Sequence, residues 1–94
     1  MTANQVSVED VKEYLRLDDN EDDAAIGTIL TAAKSFIQSY TGLSALETDK
    51  YEDLTAAVLV LVAEMYDNRL YTVESDKINP IAKSIMDLHA VNLL

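Results

Sequence analysis

The chain contains no cysteine and no tryptophan, one proline, two glycines and one histidine in 94 residues. Without cysteine there is no disulfide framework and no thiolate metal site. With only Gly27 and Gly42, neither a phosphate-cradling glycine loop nor a Gly-x-Ser-x-Gly nucleophile elbow can be built. Bases are scarce as well: seven against 17 acids leave a net charge of -10. Such a surface repels nucleic-acid phosphates instead of gaining affinity by counterion release, so sequence-specific DNA binding is disfavoured. The opening Met1, Thr2, Ala3, Asn4 and Gln5 carry neither the basic cluster nor the apolar core of a signal peptide. Synthesis and retention in the cytoplasm, or exit only within a larger assembly, are expected.

What is present is apolar and helical in period. About half of the residues are hydrophobic, enough for one core in a single domain over residues 1–94. Residues 56–63 are uninterrupted apolar positions, and Leu54, Ala57, Val58, Leu61, Val62, Met65 and Tyr66 continue at helical spacing. A central helix is expected from near Lys50 to Arg69. Its polar positions, Asp53, Glu64, Asp67 and Asn68, fall on one narrow strip. The other helices must cover most of the remainder, and a neighbouring copy is a natural cover for the rest. The run is too short to cross a bilayer, which needs about 20 apolar residues.

Three further helices flank it. The first is expected over residues 6–17, capped by Ser7 with Asp10 in a capping-box position, and with Val8, Val11 and either Tyr14 or Leu15 on one face. Tyr14 reads as a half-buried aromatic. The second runs over residues 21–40 with Ile26, Ile29, Leu30, Ala33, Phe36, Ile37 and Tyr40 as its stripe and Gly42 as a left-handed cap. Gly27 inside it costs about 1 kcal/mol relative to alanine, which a close helix crossing would explain. Residues 43–49 form a polar connection in which Thr48 or Asp49 can cap the central helix. Residues 70–79 read as a loop with a possible short strand at Tyr71, Thr72 and Val73. Asn79 and Pro80 then open a last helix, with Ile81, Ile85 and Leu88 as its stripe and a frayed end near Val91. The expected fold is all-α, a small bundle of about four helices.

Candidate chemistry is thin. Residues 18–23, DDNEDD, space Asp18, Asn20 and Asp22 like calcium ligands, but the turn glycine and the closing glutamate of an EF-hand are missing in both frames. Asp18, Asp19, Glu21, Asp22 and Asp23 are read instead as an acidic, solvated turn whose later members cap the next helix. His89 has no nucleophile or metal partner in its pattern and reads as a helix-face residue packing on a subunit edge. Glu64, set in an apolar surround, is expected to form a structural ion pair with Arg69, Lys34 or a neighbouring subunit. Tyr66, Asp67, Asn68 and Arg69 form either a well-made helix end or an interface, and the chemistry alone does not choose. An acyl carrier is excluded, because no serine stands in an Asp-Ser-Leu setting. No cofactor or metal is expected, and no catalytic residue.

The string Ala-Val-Leu-Val-Leu-Val-Ala-Glu-Met-Tyr-Asp-Asn-Arg at residues 57–69 resembles the signature of the small head-tail connector, or adaptor, proteins of long-tailed bacteriophages. Met65 stands where that family often has tryptophan. The resemblance extends to Val11, Lys12, Tyr14, Leu15 and Arg16, to Asp22 and Asp23 before Ile26, and to Ala32, Ala33, Ile37 and the Tyr40-Thr41-Gly42 run. It implies a structural virion protein, not an enzyme, made in the host cytoplasm and resident at the head-tail junction. There it would form an oligomeric ring below the portal, extend the DNA channel and dock the tail completion protein, with duplex DNA passing through unbound. Glu64, Tyr66, Asn68, Arg69, Tyr71 and Val73 are then expected at the subunit or portal interface. Asp18, Asp19, Glu21, Asp22 and Asp23 become an acidic surface facing DNA. The alternative reading of the charge is a small acidic DNA mimic that inhibits a basic nucleic-acid enzyme.

Overall fold

The computed structural model describes residues 1–68 and 78–90. Several of its element boundaries follow from local chemistry. A 3-10 turn, Ala3–Gln5, leads to α1, Val8–Leu15. At the start of α1 the Ser7 backbone N–H donates to Asp10 Oδ2 at 2.9 Å and the Asp10 N–H donates to Ser7 Oγ at 3.2 Å. This reciprocal box satisfies two otherwise orphaned donors. The helix is shorter than the expected 6–17, because Arg16 turns into the left-handed region at φ 60 and the Leu17 N–H returns to the Lys12 carbonyl at 2.9 Å.

The second helix, α2, spans Asp23–Thr41 and buries Ile26, Ile29, Leu30, Ala33 and Ile37. Gly42, at φ 75, ends it and donates to the Gln38 carbonyl at 2.9 Å, the left-handed cap that glycine allows without a Cβ penalty. Residues 43–49 are not merely a connection. Ser44 and Glu47 form a second capping box, and one helical turn, α3, Ala45–Thr48, grows from it. Asp49 therefore does not cap the central helix: its Oδ1 accepts from the Asn4 backbone N–H at 3.2 Å and from Asn4 Nδ2 at 2.9 Å. The central helix α4 accordingly starts three residues later than expected and spans Asp53–Asp67.

Along α4, Leu54, Ala57, Val58, Leu61, Val62 and Met65 are buried, and the helix packs against α1, α2, the 3-10 turn and the last helix. That last helix, α5, Pro80–His89, is capped by Asn79 Oδ1, which accepts from the Ile81 N–H at 2.8 Å. Its inward face differs from the expected stripe. Ala82 and Met86 are fully buried against the core, Ile85 is half-buried, and Ile81 and Leu88 are 63% and 75% exposed. The small Ala82 side chain and the unbranched Met86, four residues apart, fit the α4 surface, while Ile81 and Leu88 are turned outward. A second tie between α2 and α5 is polar: the Tyr40 hydroxyl donates to Asp87 Oδ1 at 2.6 Å, and Lys83 bridges Asp87 at 2.8 Å.

The result is an all-α bundle, with no strand among the described residues. The extended segment expected at Tyr71, Thr72 and Val73 lies outside the described residues, as does Val91.

Candidate interaction surface

The end of the bundle where α1 stops, α2 starts and α4 stops gathers most of the residues singled out by sequence. The acidic run 18–23 does not behave as one solvated patch. Asp18, Asp19 and Glu21 are exposed, whereas Asp22 and Asp23 are partly withdrawn. Asp22 Oδ2 accepts a hydrogen bond from the Tyr66 hydroxyl, which ties the start of α2 to the end of α4. Asp23 Oδ1 lies 3.0 Å from Lys12 Nζ, and the same ammonium donates to Asn20 Oδ1. Asp19 Oδ1 accepts from the Glu21 backbone N–H at 3.2 Å. Asp19, Asp22 and Asp23 are thus engaged by donors of this chain, and among the described residues no three His, Asp or Glu side chains converge on one point as metal ligands would.

Glu64 and Asn68 sit one turn apart on the outer strip of α4. Asn68 Nδ2 donates to the Glu64 carbonyl at 2.8 Å, which satisfies one of the orphan acceptors of the helix end. Lys34 is not the partner of Glu64. It reaches across the amino-terminal segment and donates to the carbonyls of Asn4 at 3.1 Å and Val6 at 2.7 Å. Burial pushes its pKa below the usual lysine value, against the attraction of Asp10 and Asp49. Glu64 Oε2 is buried with no hydrogen-bond partner among the described residues. Arg69, Tyr71 and Val73 lie outside them.

Beside Glu64 runs a shallow groove of about 450 Å³ walled by all three neighbouring helices. Tyr14, half exposed, comes from α1; Val60, Ala63, Glu64 and Asp67 come from α4; Ile81 comes from the first turn of α5. Val60 and Ala63, with Ala56 and Leu59 elsewhere on the helix, belong to the apolar circumference of α4 that is not fully covered.

His89 occupies the opposite end of α4 and does not offer a free edge. Its Nε2 lies 2.8 Å from both carboxylate oxygens of Asp53, and its ring stacks on Tyr51 with centroids 4.1 Å apart. The ring closes α5 onto the start of α4 within one chain. The sequence reading missed this contact, which joins residues 36 positions apart and has no local signature. The Tyr66 to Asp22 bond escaped it for the same reason.

A family model described as Phage gp6-like head-tail connector protein matches residues 5–88. No curated protein and no solved structure matches the chain. Among the described residues no helix is long and apolar enough to cross a membrane.

Proposed function

The chain belongs to the phage gp6-like head-tail connector family, and from that membership we propose that it is a non-catalytic ring subunit at the head-tail junction of a virion. The match over residues 5–88 carries this reading. In it, copies assemble below the portal protein, prolong the DNA channel and present a docking surface for the tail completion protein. The uncovered strip of α4 supports a head-to-tail contact of the kind that closes into a ring. The contact region runs from the carboxyl-terminal end of α4 into the segment after it, with Glu64 and Asn68 on the helix and Arg69, Tyr71 and Val73 beyond. Tyr66 serves that region from within, through the bond that fixes Asp22.

Channel-facing charge is proposed for Asp18, Asp19 and Glu21, the members of the acidic run left exposed. Fixed negative charge along a channel lets a polyanion pass without adhering. No observation favours the acidic-inhibitor alternative. Deleting the gene from its phage is expected to leave DNA-filled heads that do not join tails, and restoring it in trans to rescue plaque formation. Normal tailed particles from the deletion would refute the proposal. An Asp18→Asn, Asp19→Asn, Glu21→Gln variant should assemble and slow DNA ejection; unchanged ejection kinetics would remove the channel assignment while leaving the connector role standing.

A further inference from the structure

We infer that Arg16, where α1 ends, carries a contact between copies, its guanidinium pairing with a carboxylate of a second copy of this chain. The inference rests on the connector reading for its setting and names a residue and a chemistry for the ring contact. Arg16 stands at φ 60 and ψ 43, and among the described residues no other non-glycine residue has a positive φ. A residue with a Cβ is strained there, and glycine is the usual occupant. Gly42 closes α2 in the same left-handed region without that cost. The cap on α1 is made by backbone alone: the Arg16 N–H donates to the Glu13 carbonyl at 3.2 Å and the Leu17 N–H to the Lys12 carbonyl at 2.9 Å. A glycine would make both bonds, so the turn has no need of the arginine side chain.

The guanidinium is also unspent. Arg16 is exposed and its side chain makes no ion pair or hydrogen bond among the described residues, although Glu13, Asp18 and Asp19 lie within three positions of it. Lys12, by contrast, is held by Asp23, Lys34 by two carbonyls and Lys83 by Asp87. Lys50 makes no ion pair either, but its charge, after the Ser44 hydrogen bonds, helps to hold the Glu47 carboxyl low, and it stands before α4, at the far end of that helix. Arg16 follows Tyr14, which walls the groove beside α4. The free cation therefore borders the surface proposed for the ring contact. A second copy supplies what it lacks. At a net charge of -10 neighbouring copies repel, and a cation placed between them offsets that repulsion. Asp67, in the groove, and Glu52, before α4, are exposed carboxylates with no partner among the described residues. In a head-to-tail contact the two sides differ, so a cation on one copy can meet a carboxylate from another part of the next. The planar fork of arginine suits that pairing through two parallel bonds.

The test supplies variants in trans to phage lacking the gene and compares them with the purified full chain. Arg16→Gly should hold or raise the urea midpoint, because it relieves the left-handed turn, and yet enter virions about tenfold less than the original chain. A lowered midpoint would overturn the inference, since the side chain would then serve its own fold. So would an Arg16→Gly chain that enters virions as well as the original. Arg16→Lys keeps the charge and tests who the partner is. Treatment of those virions with a carbodiimide, which joins an amine to a carboxylate as an amide and takes up the water released, should give a species of twice the chain mass linked through the substituted position. A link to any other virion protein, a link within one chain, or none at that position overturns the inference. Detection of the original chain in virions separates the two claims. Its absence defeats the connector reading, whereas a virion protein indifferent to Arg16→Gly defeats this inference alone.

Discussion

Gly27 stands inside α2, in its second turn, where a glycine costs conformational entropy and leaves the helix backbone less supported. A close helix crossing would justify it, but a methyl group built there would meet Val8 Cγ2 at 3.8 Å, an ordinary contact. The crossing with α1 therefore has room for alanine. Gly27→Ala is expected to stabilise the fold by up to about 1 kcal/mol, read as a rise in the urea midpoint with an unchanged slope. A fall in the midpoint would mean that α1 cannot accept even this contact. Tyr66 shows the opposite situation. Its ring packs at the end of α4 and its hydroxyl is committed to Asp22, so a residue that looks from sequence like part of an exposed signature also works inside the molecule. The signature string 57–69 thus mixes two kinds of residue. Ala57, Val58, Leu61, Val62 and Met65 build the core, and Glu64, Asp67 and Asn68 stay at the surface.

At the scale of the helix, α5 shows which face is set by tertiary packing. Met86 is wholly buried and Leu88 is 75% exposed. Met86→Ala should cost about 2–5 kcal/mol, from lost transfer energy and a residual cavity, while Leu88→Ala should stay within about 0.5 kcal/mol. Equal losses in chemical denaturation would restore the stripe expected from sequence. The capping boxes lend themselves to a pH test. The Ser7 backbone N–H, helped by the Ser7 hydroxyl, holds the Asp10 carboxyl below its ordinary 3.8, and Ser44 does the same for Glu47 below 4.5. The unfolded chain then takes up protons at higher pH than the folded chain. The stabilisation is fully present above those ordinary values and is lost as pH falls through the lowered ones. Thermal melts between about pH 6 and pH 2 should show an acid-side slope that becomes shallower in an Asp10→Asn, Glu47→Gln variant.

Much of this element pattern was legible in the sequence because it is local. Ser7 with Asp10, Gly42, and Asn79 with Pro80 each mark a boundary through hydrogen bonds spanning only a few residues. Ser44 and Glu47 carried the same signal for α3, and a polar connection was expected there only because the segment lacks apolar periodicity. The inward face of α5 was not legible. It contains apolar residues on more than one side, and the choice depends on the surface of α4. The candidate surface was legible in part: Glu64 and Asn68 lie where the strip places them, but the acidic run is divided by Lys12 and Tyr66, whose partners are distant in sequence.

For the molecule as a whole, one helix is covered on three sides by its own chain and left with a partly open strip at its carboxyl-terminal half. On that strip Val60 and Ala63 are half-covered and flanked by the carboxylates of Glu64 and Asp67. The most direct measurement is cryo-electron microscopy of intact virions of the parent phage at the junction between portal and tail. The account predicts a ring of this chain there, with the end of α4 in contact with neighbouring protein. A well-resolved junction fully built from other proteins, with no density for this bundle, would contradict it.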